Sequence, residues 1–103
     1  DAVTGLSGSG PAYLFLLAEA MTAAGVANGL EESVADLLTR QTLFGASSLL
    51  SKSGIAPKDL RASVTSPNGT TAAAIGHLEA NGFPALFNQA ITKATERSKE
   101  LGQ

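Results

Sequence analysis

Between Pro11 and Ala24 the chain offers very little to water. Ala12, Tyr13, Leu14, Phe15, Leu16, Leu17, Ala18, Ala20, Met21, Ala23 and Ala24 are apolar, and nothing in the run breaks a helix before Gly25 and Asn28-Gly29. Pro11 suits the first position of that helix. At helical spacing these residues occupy every side of the cylinder, and a helix apolar all round has to be covered all round. Four other short or medium helices are readable in the remaining sequence, too few to surround it. The expected cover is therefore a partner subunit, with the first helix buried between two copies. Glu19 is the exception in the run and is expected at the edge of the buried surface or paired with a base; nothing about it suggests catalysis.

The helical reading continues along the chain. Asp1 to Gly10 mixes helix-compatible residues with glycine and serine and is expected to be irregular or a broken helical turn. Gly5, Gly8 and Gly10 have the spacing G-x-x-G-x-G without a preceding strand, so they do not form a dinucleotide fingerprint. They read instead as places where another backbone or a ligand comes close. Glu31-Glu32-Ser33 puts acidic residues in a first helical turn, with Lys52 near the other end and Gly54 just beyond. Ala56-Pro57-Lys58-Asp59-Leu60-Arg61 is a short helix, Ala72 to Ala80 another that stops at Asn81-Gly82, and Pro84 opens the last. In that last helix Phe83, Leu86, Phe87, Ala90, Ile91, Ala94 and Leu101 recur at three- and four-residue steps, leaving Asn88, Gln89, Lys93, Glu96, Arg97, Lys99 and Glu100 outward. No period-two pattern lasts long enough for a strand. The fold expected is all-α, with about five helices.

Composition narrows the partners. With 103 residues, 44% apolar and 16% charged, the chain can bury one modest core. The five aromatics (Tyr13, Phe15, Phe44, Phe83, Phe87) and the many alanines favour close helix approach over bulk. A formal charge of −2 and scattered Lys and Arg argue against nucleic acid. Cysteine is absent and His77 is alone, so neither a disulfide nor a metal site is expected. The apolar run from Pro11 to Val26 is about 16 residues with Glu19 inside it, short of the roughly 20 that span a bilayer. Together with an acidic first residue, which does not suit a secretory signal, this gives the expectation of a cytoplasmic protein without a membrane partner.

The stretch that carries chemistry is Val64-Thr65-Ser66-Pro67-Asn68-Gly69-Thr70-Thr71. Pro67 presets the first corner of a turn, and Asn68 and Gly69 tolerate left-handed backbone. Thr70 or Thr71 is expected to cap the helix that follows. A helix start leaves backbone N–H groups unpaired and carries partial positive charge. Ringed by the hydroxyls of Thr65, Ser66, Thr70 and Thr71 with no carboxylate nearby, it would receive a small anion such as a substrate carboxylate. The plainer reading is a turn and a capped helix. His77 reads as a surface residue.

Thr65-Ser66-Pro67-Asn68-Gly69-Thr70-Thr71 resembles the Ser-Pro-Gly-Gly-Thr-Thr loop of pyrroline-5-carboxylate reductases. Asp1-Ala2-Val3-Thr4-Gly5-Leu6-Ser7-Gly8-Ser9-Gly10-Pro11-Ala12-Tyr13 is similar to that family's entry into its first dimerisation helix, and Thr95-Glu96-Arg97-Ser98-Lys99-Glu100-Leu101 to its ending. The resemblance covers residues 1–103 as a C-terminal helical dimerisation and substrate-binding domain, with the N-terminal dinucleotide-binding domain absent. It implies an intertwined homodimer, in which the first helix is buried, and allows a higher homo-oligomer. It also implies reduction of 1-pyrroline-5-carboxylate to L-proline by NADPH or NADH. On matching positions Ser66, Gly69, Thr70 and Thr71 would hold the substrate, Thr71 being the candidate for a hydroxyl that reaches the ring nitrogen. Ser9, Gly10 and Pro11 would lie near the nicotinamide. The segment alone would be inactive. Two departures stand out: Gly54-Ile55-Ala56-Pro57 lacks the acidic residue of the family's Gly-Glu-His-Pro, and Asn68 replaces a glycine. Two alternatives remain, a non-catalytic helical assembly module and the helical domain of another nicotinamide-dependent dehydrogenase. The latter usually depends on a catalytic lysine, whereas Lys52, Lys58, Lys93 and Lys99 lie in polar settings.

Overall fold

Five α-helices and one π-helical segment make up the computed structural model, which describes residues 1–103 and contains no strand. They are the π segment Thr4–Gly8, α1 (Gly10–Ala27), α2 (Glu32–Ser53), α3 (Pro57–Ser63), α4 (Thr70–Ala80) and α5 (Phe83–Leu101). The all-α expectation holds. In space the residues gather into two units, Pro11–Pro57 and the combination of Asp1–Gly10 with Lys58–Gln103.

In the first unit α1 runs through Gly25 instead of stopping there, and the stop comes at Gly29. Leu30 N–H donates to the Gly25 carbonyl (3.1 Å) and Gly29 N–H to that of Val26 (3.0 Å), with Gly29 at φ 108. That pair of bonds is a Schellman ending, and only glycine sits easily at such a φ. Gly25 serves packing: a Cβ there would lie 3.1 Å from the Cβ of Ala35. Ala35, 2% exposed, and Thr39 are the buried side chains of α2. Glu31 precedes α2 as an extended N-cap, so only Glu32 falls in its first turn; Lys52 falls in the last, and Gly54 at φ 69 follows.

Beyond this contact most of the large apolar side chains are exposed. No residue of α1 is buried, Leu16 is 66% exposed, and Phe44 on α2 is 71% exposed. Between the two helices lies an open groove of about 930 Å³ with Leu14, Phe15, Val26, Leu43 and Phe44 among its walls. Glu19 lines it too and is exposed, which is the edge position expected for it rather than the pairing with a base. Arg40, the base on the same groove, is held by Asp36 at 2.8 Å one turn away, and that bond raises the guanidinium pKa.

The second unit is organised on α5. The stretch before Pro11 is helical, wound more widely than an α-helix: Ser9 N–H donates to the Thr4 carbonyl five residues back (2.8 Å). This segment lies against α5 through Gly5, which is buried. A Cβ on Gly5 would stand 2.5 Å from Thr95 Oγ1 and 3.1 Å from both the Ile91 carbonyl oxygen and the Thr95 nitrogen. Ser98 Oγ also donates to Asp1 Oδ1 at 2.6 Å. The close-approach reading of the glycines is thus met at Gly5. Along α5, Phe83 and Phe87 stack one turn apart at 5.0 Å, and Phe87, Ile91, Ala94 and Thr95 are half-buried. Leu86 and Leu101, counted with the apolar face from sequence, are 63% and 69% exposed. Leu86 lies about 140° around the helix from Ile91, so the stripe that meets the π segment excludes it.

Because the residues before Pro11 are helical, the apolar run is longer than expected. The helical stretch Thr4–Ala27 has 24 residues and contains an 18-residue window of mean hydropathy 1.3, enough by length and composition to cross a membrane. The argument from shortness therefore does not stand, although buried helices of soluble proteins meet the same criterion.

Gly5→Ala should lower stability by about 1–3 kcal/mol in urea unfolding, the cost of overpacking a close contact. Adding Thr95→Ala should recover only part of that loss, since the backbone atoms of Ile91 and Thr95 remain. Full recovery would mean that the side chain alone sets the spacing.

Candidate functional site

The Val64–Thr71 stretch is built from one helix end and one helix start. As α3 finishes, Val64 N–H donates to the Arg61 carbonyl and Thr65 N–H to that of Ala62, both at 3.2 Å. The hydroxyls of Ser63 and Thr65 donate to the carbonyls of Leu60 and Arg61, each at 2.6 Å. Next comes a four-residue turn, in which Gly69 N–H donates to the Ser66 carbonyl at 3.0 Å and Asn68 sits at φ 60. Proline in the second position and a left-handed third residue define a type II turn. Gly69 does not use left-handed backbone as expected; it is extended (φ −86, ψ −177) and precedes α4 as its N-cap. The first bond of the helix runs from Ala73 N–H to the Gly69 carbonyl, 3.1 Å.

Two expectations change as a result. Thr70 and Thr71 are the first two residues of α4, and no side chain caps it, so neither threonine is the cap. A glycine N-cap has no oxygen to offer, and the N–H groups of Thr70, Thr71 and Ala72 are left without a helical acceptor. Thr65, counted among the ring of donors, has turned its hydroxyl back onto α3. What remains is a compact array of neutral donors: the first N–H groups of α4, the half-buried hydroxyl of Thr71, and the exposed hydroxyls of Thr70 and Ser66. No acidic residue lies in the first turn of α4. An array of this kind orients a carboxylate without contributing a base.

Of the other residues singled out, Ser9 and Gly10 are half-buried and belong to the same unit as the loop, whereas Pro11 is exposed and belongs to the other. Gly10 is open: an added Cβ would meet nothing within 4 Å. In the Gly54-Ile55-Ala56-Pro57 connection, Ile55 is exposed and its N–H donates to Ser53 Oγ (3.1 Å). Lys52, Lys58, Lys93 and Lys99 are all exposed, the polar settings expected for them. His77 is exposed, as expected for a surface residue, and its carbonyl accepts from Asn81 Nδ2 at 2.8 Å. The α1–α2 groove was not anticipated; the signal for it was the pairing of Gly25 with Ala35, small residues that let two helices meet at one end and diverge from there.

The fold and loop define a helical domain that presents a helix start with unpaired donors and exposed apolar side chains. The family profile described as pyrroline-5-carboxylate reductase dimerisation matches residues 1–101. The chain is 54% identical over 103 residues to a pyrroline-5-carboxylate reductase of Pseudomonas aeruginosa, covering all of this chain and 38% of that protein. It is 50% identical to one of Arabidopsis thaliana, again over its whole length and 37% of the relative. Among solved structures, Plasmodium falciparum pyrroline carboxylate reductase with NADP bound superposes with a TM-score of 0.94 at 37% identity, over 100% of this chain and 42% of that one. A pyrroline-5-carboxylate reductase from Coxiella burnetii gives 0.93 at 45% identity, over 97% and 37%. The chain belongs to the pyrroline-5-carboxylate reductase dimerisation family. It spans about two fifths of the length of the relatives it matches.

Replacing Asn68 tests the turn. Asn68→Gly should leave stability within about 0.5 kcal/mol, while Asn68→Ala should cost about 1 kcal/mol, because alanine is strained at positive φ. Equal urea midpoints for the two variants would contradict the left-handed conformation.

Proposed function

We propose that this chain is the helical part of an NAD(P)H-dependent reductase acting on 1-pyrroline-5-carboxylate to give L-proline, and that it supplies the substrate cradle and the subunit interface. One observation carries the reading: in a chain of this family, the start of α4 is uncapped and its donors face no carboxylate of the first turn. The substrate carboxylate takes the place of the missing cap, held by the N–H groups of Thr70 to Ala72 and by the hydroxyl of Ser66, while the Gly69 N–H closes the turn on the Ser66 carbonyl. Thr71 Oγ1 reaches the ring nitrogen. A planar imine fixed at both ends presents one face for reduction.

A reduced nicotinamide supplies the hydride when bound. The open backbone at Gly10 leaves room for a flat ring beside Ser9 and Pro11. Holding the cofactor's pyrophosphate is assigned to residues outside these 103, since the usual holder is a βαβ unit and the chain has no strand. The purified 103-residue chain should accordingly bind neither NADH nor NADPH at micromolar concentration in a fluorescence titration. Work in the cytoplasm suits such a reductase and is part of the proposal.

A homodimer accounts for the uncovered helices. Leu14, Phe15 and Leu16 on α1 and Leu37, Leu38 and Phe44 on α2 are each at least half exposed, a surface that a second copy would cover. Light scattering should return twice the chain mass or more, without detergent. A folded monomer at micromolar concentration, or a chain soluble only in detergent, would overturn the dimer.

In the complete reductase, Thr71→Val keeps the shape and removes the hydroxyl. Loss of one hydrogen bond to a polar or charged group costs about 1–3 kcal/mol, so kcat/KM for pyrroline-5-carboxylate should fall roughly ten- to a hundredfold with cofactor affinity little changed. Thr70→Val should do less. Unchanged kinetics with reduced stability would leave Thr71 a purely structural residue.

A further inference from the structure

The wide winding at Thr4–Gly8 needs support from outside the segment. Such winding is rare and occurs mostly as single turns set into α-helices, and here α1 begins two residues after it ends. Ser9 N–H reaches the Thr4 carbonyl (2.8 Å), where α winding would give it the carbonyl of Gly5. The turn thus carries one more residue than an α turn would. Relaxing it to α winding would shift the backbone after Gly8 relative to that before Thr4 by one residue, about 100° of rotation and 1.5 Å of rise. Which side the Ser9–Gly10 backbone presents is therefore decided by whether the π turn is kept.

Two contacts with one edge of α5 hold it. Gly5 is seated on Thr95 and the Ile91 carbonyl, and one turn earlier Asp1 Oδ1 accepts from the half-buried Ser98 at 2.6 Å. Asp1 and Gly5 stand four residues apart and Ser98 and Thr95 three, so both pairs lie along matching faces. The Ser98 bond differs in kind from those of nearby hydroxyls. Ser7, Thr65 and Thr95 donate to carbonyls four residues back, whereas Ser98 donates to a carboxylate 97 residues away. A bond to a charged acceptor is shorter and stronger than a neutral one. Arg97, the adjacent base, is engaged with Glu100 at 2.8 Å instead.

We infer that Ser98 is a positioning residue for the reductase reaction: by pinning Asp1 it keeps the π turn wound and holds the Ser9–Gly10 backbone in the orientation that reduction requires. The inference rests on the placement of the nicotinamide beside Ser9 and Gly10 proposed above, and it assigns the control of that backbone to a side chain on α5 that touches neither cofactor nor substrate. The substrate loop is closed by its own bonds, Gly69 N–H to the Ser66 carbonyl and Thr65 Oγ1 to that of Arg61. Loss of the Ser98 bond accordingly disturbs orientation at the cofactor side and leaves substrate binding alone.

The test uses the complete reductase. Ser98→Ala lowers kcat at saturating substrate and cofactor about tenfold and leaves KM for pyrroline-5-carboxylate within about twofold, and Ser98→Thr, which keeps the hydroxyl, restores most of the lost kcat. Hydrogen exchange gives a readout apart from turnover: without cofactor, the Ser9 amide of Ser98→Ala exchanges at least about tenfold faster, while the amides of Ala73 to Ile75 in α4 keep their rates. Gly10→Ala tests the placement of the ring by itself and raises KM for the nicotinamide cofactor at least about threefold. A lowered Tm for Ser98→Ala with kcat unchanged, or an unchanged Ser9 exchange rate, overturns the role of Ser98 while the placement stands on Gly10→Ala. An unchanged cofactor KM for Gly10→Ala overturns the placement and the inference with it.

Discussion

The constraint on which everything else depends is that α1 cannot be satisfied by its own chain. Eighteen residues with no buried member and large apolar side chains on all sides make a helix that is marginal in water by itself. The close approach of Gly25 to Ala35 fixes where α1 and α2 meet, with Thr39 buried beside it, and leaves Leu16 and Phe44 well exposed. On the proposed reading, burial of the α1 and α2 faces is deferred to association, and folding and assembly become parts of one equilibrium. Alanine-rich helices suit that arrangement: they contribute little bulk, and their stability comes from how near a neighbouring helix can come.

The loop before α4 solves a different problem, that of holding donors still while leaving them unused. Thr65 and Ser63 satisfy the carbonyls of α3, and the Ser66–Gly69 bond closes the turn, so the loop's own hydrogen bonding is settled without drawing on the N–H groups of α4. An oxygen-bearing residue in place of Gly69 would add roughly a few tenths of a kcal/mol of capping and occupy the position an anion needs. Leaving the cap out is intelligible when a ligand provides it. Glycine there also avoids a clash, because a Cβ would stand 3.2 Å from the Ser66 carbonyl oxygen.

The fold was legible from sequence wherever a local rule operated. Proline near the start of α3 and α5, Gly54 after α2 and the three- and four-residue steps of α5 mark elements that the structure contains. The loop was legible as a turn leading to a helix, because Pro67 and Asn68 have specific backbone preferences. What failed depended on information that local rules lack. Asp1 to Gly10, expected to be irregular or a broken helical turn, is more helical than that, because contact with α5 at Gly5 overrides the low helix propensity of its glycines and serines. Which residue would cap α4 was misread because Thr70 and Thr71 are good caps and Gly69 a weaker one, and only the extended backbone at Gly69 decides between them. Leu86 and Leu101 were assigned inward because the apolar pattern was read as one stripe, whereas the π segment covers only the side that carries Ile91 and Thr95.

The two solutions meet in the covalent chain at Gly10. The π segment, anchored on α5 by Gly5 and by the Ser98–Asp1 bond, ends at Gly8, and α1 begins two residues later. Ser9 and Gly10, the residues proposed to lie beside the nicotinamide, are therefore the last fixed by the unit that holds the loop and the first of the helix that depends on a partner. A disordered α1 would release one end of that short stretch and leave its backbone free to wander, which costs orientation even if the loop itself remained intact. On the proposed reading, a helix that needs a second copy is then more than a means of assembly. It ties the position of the backbone beside the cofactor to the formation of the dimer, so a reductase built this way holds its reacting groups in register only as an oligomer.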